Sequence, residues 1–186
     1  LVLPALGAVA GALLVKFFAP TAGGHGTDAA IHAYHREEGR IPFAVIPIKA
    51  VASALVIGSG GSAGCEGPVT QIGAGCGSAL AGLLKLDAAE RRILMAAGLA
   101  AGVGALFRAP LAGAIFAAEI FYSGLDIEYE ILMPSLVAST VAYTVFALFF
   151  GWQPLFIMPE YTFEDPLKLL PYLFLALVVA YGAKFY

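Results

Sequence analysis

Gly64-Cys65-Glu66-Gly67-Pro68, continuing as Val69-Thr70-Gln71-Ile72-Gly73, sets one carboxylate at the mouth of a glycine-rich apolar segment. No other charge stands between Lys49 and Lys85. An ionisable group isolated in apolar surroundings is costly, so it is either paired or put to use. The residues that follow read as an uncharged helix from Pro68 to Leu84. The first N–H groups of such a helix lack intrahelical partners and, with the helix dipole, form an anion site. Pro68 suits the first turn, where a missing N–H costs nothing. Gly64 and Gly67 allow the backbone to approach an ion closely. Glu66 then acts as a tethered anion: deprotonated it plugs the site, and protonated it swings away and admits a free anion. The alternative is an ordinary acidic helix cap, and the uncharged surroundings favour the gate.

The composition explains those surroundings. Of 186 residues, 60% are hydrophobic and only 12% charged, with a mean hydropathy of +0.87. A soluble domain needs more charge to cover its surface, so the expectation is an integral membrane protein. A net charge of −3 without clustering leaves no electrostatic footprint for nucleic acid. Leu1 is not an initiator Met and Lys16 follows the first apolar run, so no signal peptide is expected. The chain is expected to start inside one element and stop inside another, as a fragment. Cys65 and Cys76 are eleven residues apart across a helix start. That spacing is about 16 Å, too far for a disulfide. Nothing near them suggests zinc, and Cys76 reads as small apolar packing.

Few segments have the roughly 20 apolar residues that cross a bilayer as a straight helix. Leu1–Val15 is cut by Pro4 and ends at Lys16 and Pro20. Thr27–Glu38 is a short polar helix stopped by Gly39. Phe43–Ile57, carrying Lys49, runs into Gly58-Ser59-Gly60-Gly61-Ser62. Asp87-Ala88-Ala89-Glu90 reads as the acidic first turn of a helix reaching Phe107. Leu111–Tyr122 is short and carries Glu119. Only Ile131–Phe150 is a conventional span, and Asp165–Tyr186 begins the next, with Pro166 near its first turn. Short spans broken by glycine and proline point to discontinuous helices lining a site near the membrane midplane. The glycine patterns at Gly73–Gly77 and Gly98–Gly102 read as close helix packing. Acidic loops at Asp126–Glu130 and Glu160–Asp165 and the basic trio Lys85, Arg91 and Arg92 hint at opposite sides without fixing a topology.

A second glycine-rich opening, Gly23-Gly24-His25-Gly26-Thr27-Asp28, would double the stabilising dipole if aimed at the same cavity; otherwise it is a capped turn. Asp28, His32 and His35 can share a helix face at i, i+4, i+7, a possible metal-ligand set, but the segment is polar and its histidines need no partner in water, so no metal is expected. Glu119 reads as a structural acid before a proton relay. Lys49 either adds positive potential to the anion site, snorkels, or pairs with Glu119 or Glu66. Gly58–Gly64 lacks the Gly-Lys-Ser/Thr of a phosphate loop, and no nucleophile motif appears, so no enzyme activity is expected.

Several stretches resemble the CLC family of chloride channels and chloride/proton exchangers. Gly64–Gly73 is similar to the family's G(K/R)EGP and V-Q-I-G segments. Ala19-Pro20 with Ala22-Gly-Gly-His-Gly26 resembles AP-x-AGGSGIP, and Ile46-Pro-Ile-Lys49 resembles LPVK. Ala109-Pro-Leu-Ala-Gly113, leading to Phe116 and Glu119, resembles APLAG-x-x-F-x-x-E. The resemblance implies an all-α membrane protein of tilted and discontinuous helices, a homodimer with one anion pore per subunit of two inverted halves. Residues 1–186 would hold most of the first half and the opening of the second. The later half's GxFxP segment and pore tyrosine are absent from this stretch. Glu66 takes the place of the gating glutamate and proton acceptor, and Lys49 that of the lysine near the pore. Gly24, His25 and Gly26, with Gly67, Pro68 and Val69, take the anion-binding places. His25 stands for the pore serine, and Cys65 for the usual basic residue. Ile120 stands where exchangers carry a second, proton-handling glutamate. Glu119 points about 100° away around a helix and is no obvious substitute.

The expectation is therefore chloride transport through a pore gated by Glu66, in a multi-pass protein of the cell membrane. No cofactor is expected. Passive, channel-like conduction is preferred to chloride/proton exchange by another proton route. A non-conducting membrane scaffold or dimerisation module is the reading from a different class.

Overall fold

The computed structural model describes residues 2–122, 129–153, 155 and 166–185. Two units form, residues 1–155 and residues 156–186. In the first, α1 spans Val2–Phe18, α2 Thr27–Arg36, α3 Val45–Gly58 and α4 Glu66–Leu83. They are followed by α5, Ala88–Phe107, α6, Pro110–Glu119, and α7, Tyr129–Phe150. A single 3-10 turn, Pro20–Ala22, joins α1 to the loop before α2. The second unit is a 3-10 turn, Pro166–Lys168, and the apolar helix α8, Leu169–Phe185. Among the described residues only Tyr129–Phe150 is long and apolar enough to cross a membrane alone.

The pair α4 and α5 is the spine of the first unit, and glycine makes it possible. A Cβ at Gly98 of α5 would run into the Gly73 carbonyl of α4, and one at Gly77 would run into the carbonyl of Leu94. The glycine patterns thus pack helix backbones directly, as expected of small residues in apolar bundles. Around this contact lie Met95 and Leu99, fully buried, with Ala74, Ala96, Ala100 and Ala117. The α1–α3 pair uses the same device, since a Cβ at Gly11 would stand 3.1 Å from the Ala52 carbonyl.

Local chemistry explains where the helices start and stop. Asp87 is the N-cap of α5 rather than part of its first turn. Its carboxylate accepts from the Glu90 N–H at 2.9 Å, and Glu90 accepts back from the Asp87 N–H at 3.2 Å. This reciprocal cap satisfies two otherwise orphaned donors. The helix α2 stops at Arg36, two residues earlier than the sequence pattern suggests. There Gly39 (φ 73°) turns back and donates to the Ala33 carbonyl at 2.9 Å. Leu111–Tyr122 shortens to Pro110–Glu119, because Phe121 and Tyr122 leave the helix to pack on α2. The helix α4 begins earlier than expected, at Glu66, so the carboxylate belongs to the first helical residue and Pro68 to the third. Most of the acidic segments expected at 126–130 and 160–165 lie outside the described residues.

Candidate functional site

The loop before α2 and the start of α4 meet through bare backbone. Gly26, the N-cap of α2, has φ 111°, a conformation that side chains other than glycine's rarely adopt. A Cβ there would overlap the Gly67 carbonyl, and a Cβ at Gly67 would overlap the His25 carbonyl. Both glycines are buried against each other, so the two helix openings predicted from sequence are neighbours. Gln71 reinforces the joint: its side-chain amide donates to the Thr21 carbonyl at 2.9 Å from a site 2% exposed.

Lys49 holds the loop from the other side. Its ammonium, on a residue only 4% exposed, donates to the Ala22 carbonyl at 2.8 Å and the Gly24 carbonyl at 2.7 Å. It neither snorkels nor pairs with Glu66 or Glu119; among the described residues its partners are main-chain oxygens. Hydrogen bonds to a charged donor contribute about 1.5–3 kcal/mol each when buried partners would otherwise be orphaned. Lys49→Met keeps the stem and leaves two carbonyls bare. We expect it to lower the unfolding free energy by about 3 kcal/mol, read as an earlier thermal transition in detergent. An unchanged transition would remove Lys49 from its role as the loop's anchor.

Lys49, Gly24, His25, Gly64 and Pro68 line one cavity of about 750 Å³, together with Lys16 and residues of α1 and α3. His25 is exposed beside it, with Nδ1 3.2 Å from Thr27 Oγ1. The Val69 N–H, named above among the anion donors, is already committed to the Cys65 carbonyl at 3.0 Å. Pro68 has no N–H, so the donors left in the opening turn of α4 are those of Glu66 and Gly67. In α2 the Ala30 N–H bonds to Gly26, which leaves Thr27, Asp28 and Ala29 as the opening donors.

Glu66 is exposed, and its carboxylate folds back over Gly64, where any Cβ would collide with it. Among the described residues that carboxylate has no hydrogen-bond or ion-pair partner. Only its backbone is engaged, the carbonyl accepting from Thr70 Oγ1 at 2.7 Å. The ordinary capping role is therefore not the one it plays here.

Glu119 and Ile120 are not brought to this cavity. Glu119 is exposed at the last turn of α6, without the basic or backbone partner that a structural acid would have among the described residues. Ile120 follows it, half-buried against the apolar core. Asp28, His32 and His35 do not gather as a ligand set either. His32 lies 3.5 Å from Glu37, and His35 Nε2 bonds to the Phe121 carbonyl at 2.6 Å.

One cluster beside α6 escaped the sequence reading. Tyr34 stacks on Phe121 with ring centroids 4.2 Å apart, and its hydroxyl lies 2.7 Å from that of Tyr122. Arg92 Nε donates to the Tyr34 carbonyl at 2.9 Å. The Tyr34-His35 and Phe121-Tyr122 pairs are visible in the sequence, but only the fold shows that they meet.

Comparison with known proteins agrees with this architecture. The voltage-gated chloride channel model matches residues 6–186. The chain belongs to the voltage-gated chloride channel family. Its motifs are therefore those of an all-α CLC membrane domain. It is 36% identical over 157 residues to the H(+)/Cl(−) exchange transporter ClcA of Citrobacter koseri, covering 83% of this chain and 33% of that protein. The Yersinia pestis protein of the same description is 32% identical over 186 residues, covering 98% and 38%. A Ralstonia nicotianae protein described as ClcB-like is 35% identical over 134 residues, covering 70% and 31%. The chain thus spans about a third of the length of the curated relatives it matches.

Proposed function

We propose that this chain supplies the Glu66-gated part of a chloride pathway in a multi-pass protein of the cell membrane, working as a homodimer. One observation carries the reading. Two helix openings meet at buried glycines beside a cavity that a buried lysine lines, and an unpartnered carboxylate lies over the same turn. Opening N–H groups and the lysine attract an anion, and the tethered carboxylate competes for the same place. Gly24, His25, Gly26 and Gly67 shape that place, with Pro68 and Val69 fixing the helix behind it. A scaffold role would need neither the carboxylate nor the cavity.

Passive conduction is the preferred mode, because Ile120 has no proton to give and packs on the core. Exchange is the second reading. It is favoured by the two relatives named as exchange transporters and by Glu119, exposed one residue earlier. The complete protein in liposomes separates them. For passive conduction the reversal potential follows the chloride gradient and does not move when a pH gradient is imposed. A shift with the proton gradient assigns exchange, and no chloride current in either condition returns the chain to the scaffold reading.

A further inference from the structure

At the end of the unit where α2 and α4 finish and α5 begins, residues 37–42 lie across α4. The Ile41 N–H donates to Ser78 Oγ at 2.9 Å and holds the loop there. Beside it is a cavity of about 400 Å³ that shares no lining residue with the Lys49 cavity, lined by Arg40, Arg91, Glu37, Ser78, Ala79 and Gly82 among others. Arg91 Nη2 donates to the Leu86 carbonyl at 3.0 Å, but its Nη1 is buried with no acceptor among the described residues. An unsatisfied buried donor is expensive, more so on a charged group. Arg40 reaches the same cavity from an exposed position, 3.2 Å from Glu38. The carboxylate on the wall, Glu37, is 3.5 Å from His32. Arg40 is offset by Glu38 and Glu37 faces His32, so the charge left open to the cavity is the Arg91 guanidinium at Nη1. Lys85 and Arg92 flank the same helix end, beside the Asp87 and Glu90 carboxylates, each of which accepts from the other's backbone N–H in the cap of α5.

The rim is apolar. Gly82 faces open space, and Leu83, one turn beyond Ala79 on the same face, is 81% exposed. A ligand that places an anionic oxygen on Arg91 Nη1 and hydrocarbon along Leu83 is a lipid with a charged headgroup. Guanidiniums favour phosphate oxygens, and basic pockets between membrane helices suit such headgroups. We propose that this cavity binds the phosphate of an anionic phospholipid between Arg40 and Arg91, with the acyl chains along the end of α4.

Thermal unfolding of the complete protein in detergent, titrated with phosphatidylglycerol, tests the site. The lipid should raise the unfolding temperature saturably, and Arg40→Gln and Arg91→Gln should each raise the half-saturating concentration roughly five-fold. Glu37→Gln, which removes the opposing charge, should lower it. Should Arg91→Gln not fold, exposed Arg40→Gln and the gain from Glu37→Gln still decide. Three results would overturn the proposal: an equal shift with phosphatidylcholine, an equal shift with inorganic phosphate, or an Arg40→Gln titration identical to wild type.

Discussion

Glu66→Gln in the complete protein is expected to make chloride flux into liposomes flat with pH, where a wild type gated by Glu66 should conduct more as the medium becomes acidic. The sign follows from charge. Neutralising Glu66 removes the tethered negative charge that repels chloride from the opening turn of α4; glutamine is neutral at every pH and cannot repel an anion. The position supports a large effect. Glu66 is the first residue of α4, its carboxylate has no partner among the described residues, and it folds over a glycine that leaves room for it. A carboxylate tied down by a lysine or a cap would need that partner broken before it could move. A Glu66→Gln variant that kept the wild-type pH profile would refute the gate, while loss of flux at all pH values would make Glu66 a structural residue.

Gly67→Ala has the second large effect, by a different route. The added methyl would overlap the His25 carbonyl, and the loop it must push aside is held by the two Lys49 hydrogen bonds and by Gln71. Overpacking a tight contact costs about 1–3 kcal/mol. Chloride flux should fall by about ten-fold or more, because even 1 Å of misplacement between positioned groups can cost more than that in rate. Gly58→Ala is the control: it sits at the end of α3 with nothing within 4 Å of the new methyl, and its flux should match wild type. Equal flux in both variants would mean that the α2–α4 joint does not set the pathway.

Much of this arrangement is legible in the residues. The glycine pairs of α4 and α5 are local signals that appear where the sequence places them, while Asp87 moves from the first turn of α5 to its cap and Glu66 from before α4 to its first residue. What is not legible depends on contacts distant in sequence. Lys49 leaves open a charge at the anion site, a snorkelling side chain or a carboxylate pair, because its partners in the fold, the carbonyls of Ala22 and Gly24, carry no sequence signal. Val69 looks like an anion donor until the helix is seen to begin at Glu66, which commits its N–H to Cys65. The Tyr34–Tyr122 contact joins residues 88 positions apart, and no periodicity within either helix announces it. Glu119 and Ile120 are set apart from the Lys49 cavity by the fold of α6, which a motif alone does not convey.

The joint between α2 and α4 is made of main chain on both sides. The closest approaches, Gly26 to the Gly67 carbonyl and Gly67 to the His25 carbonyl, are backbone to backbone and have no rotamers to rearrange. The distance between the two helix starts is thus set by main-chain contact at Gly26 and Gly67.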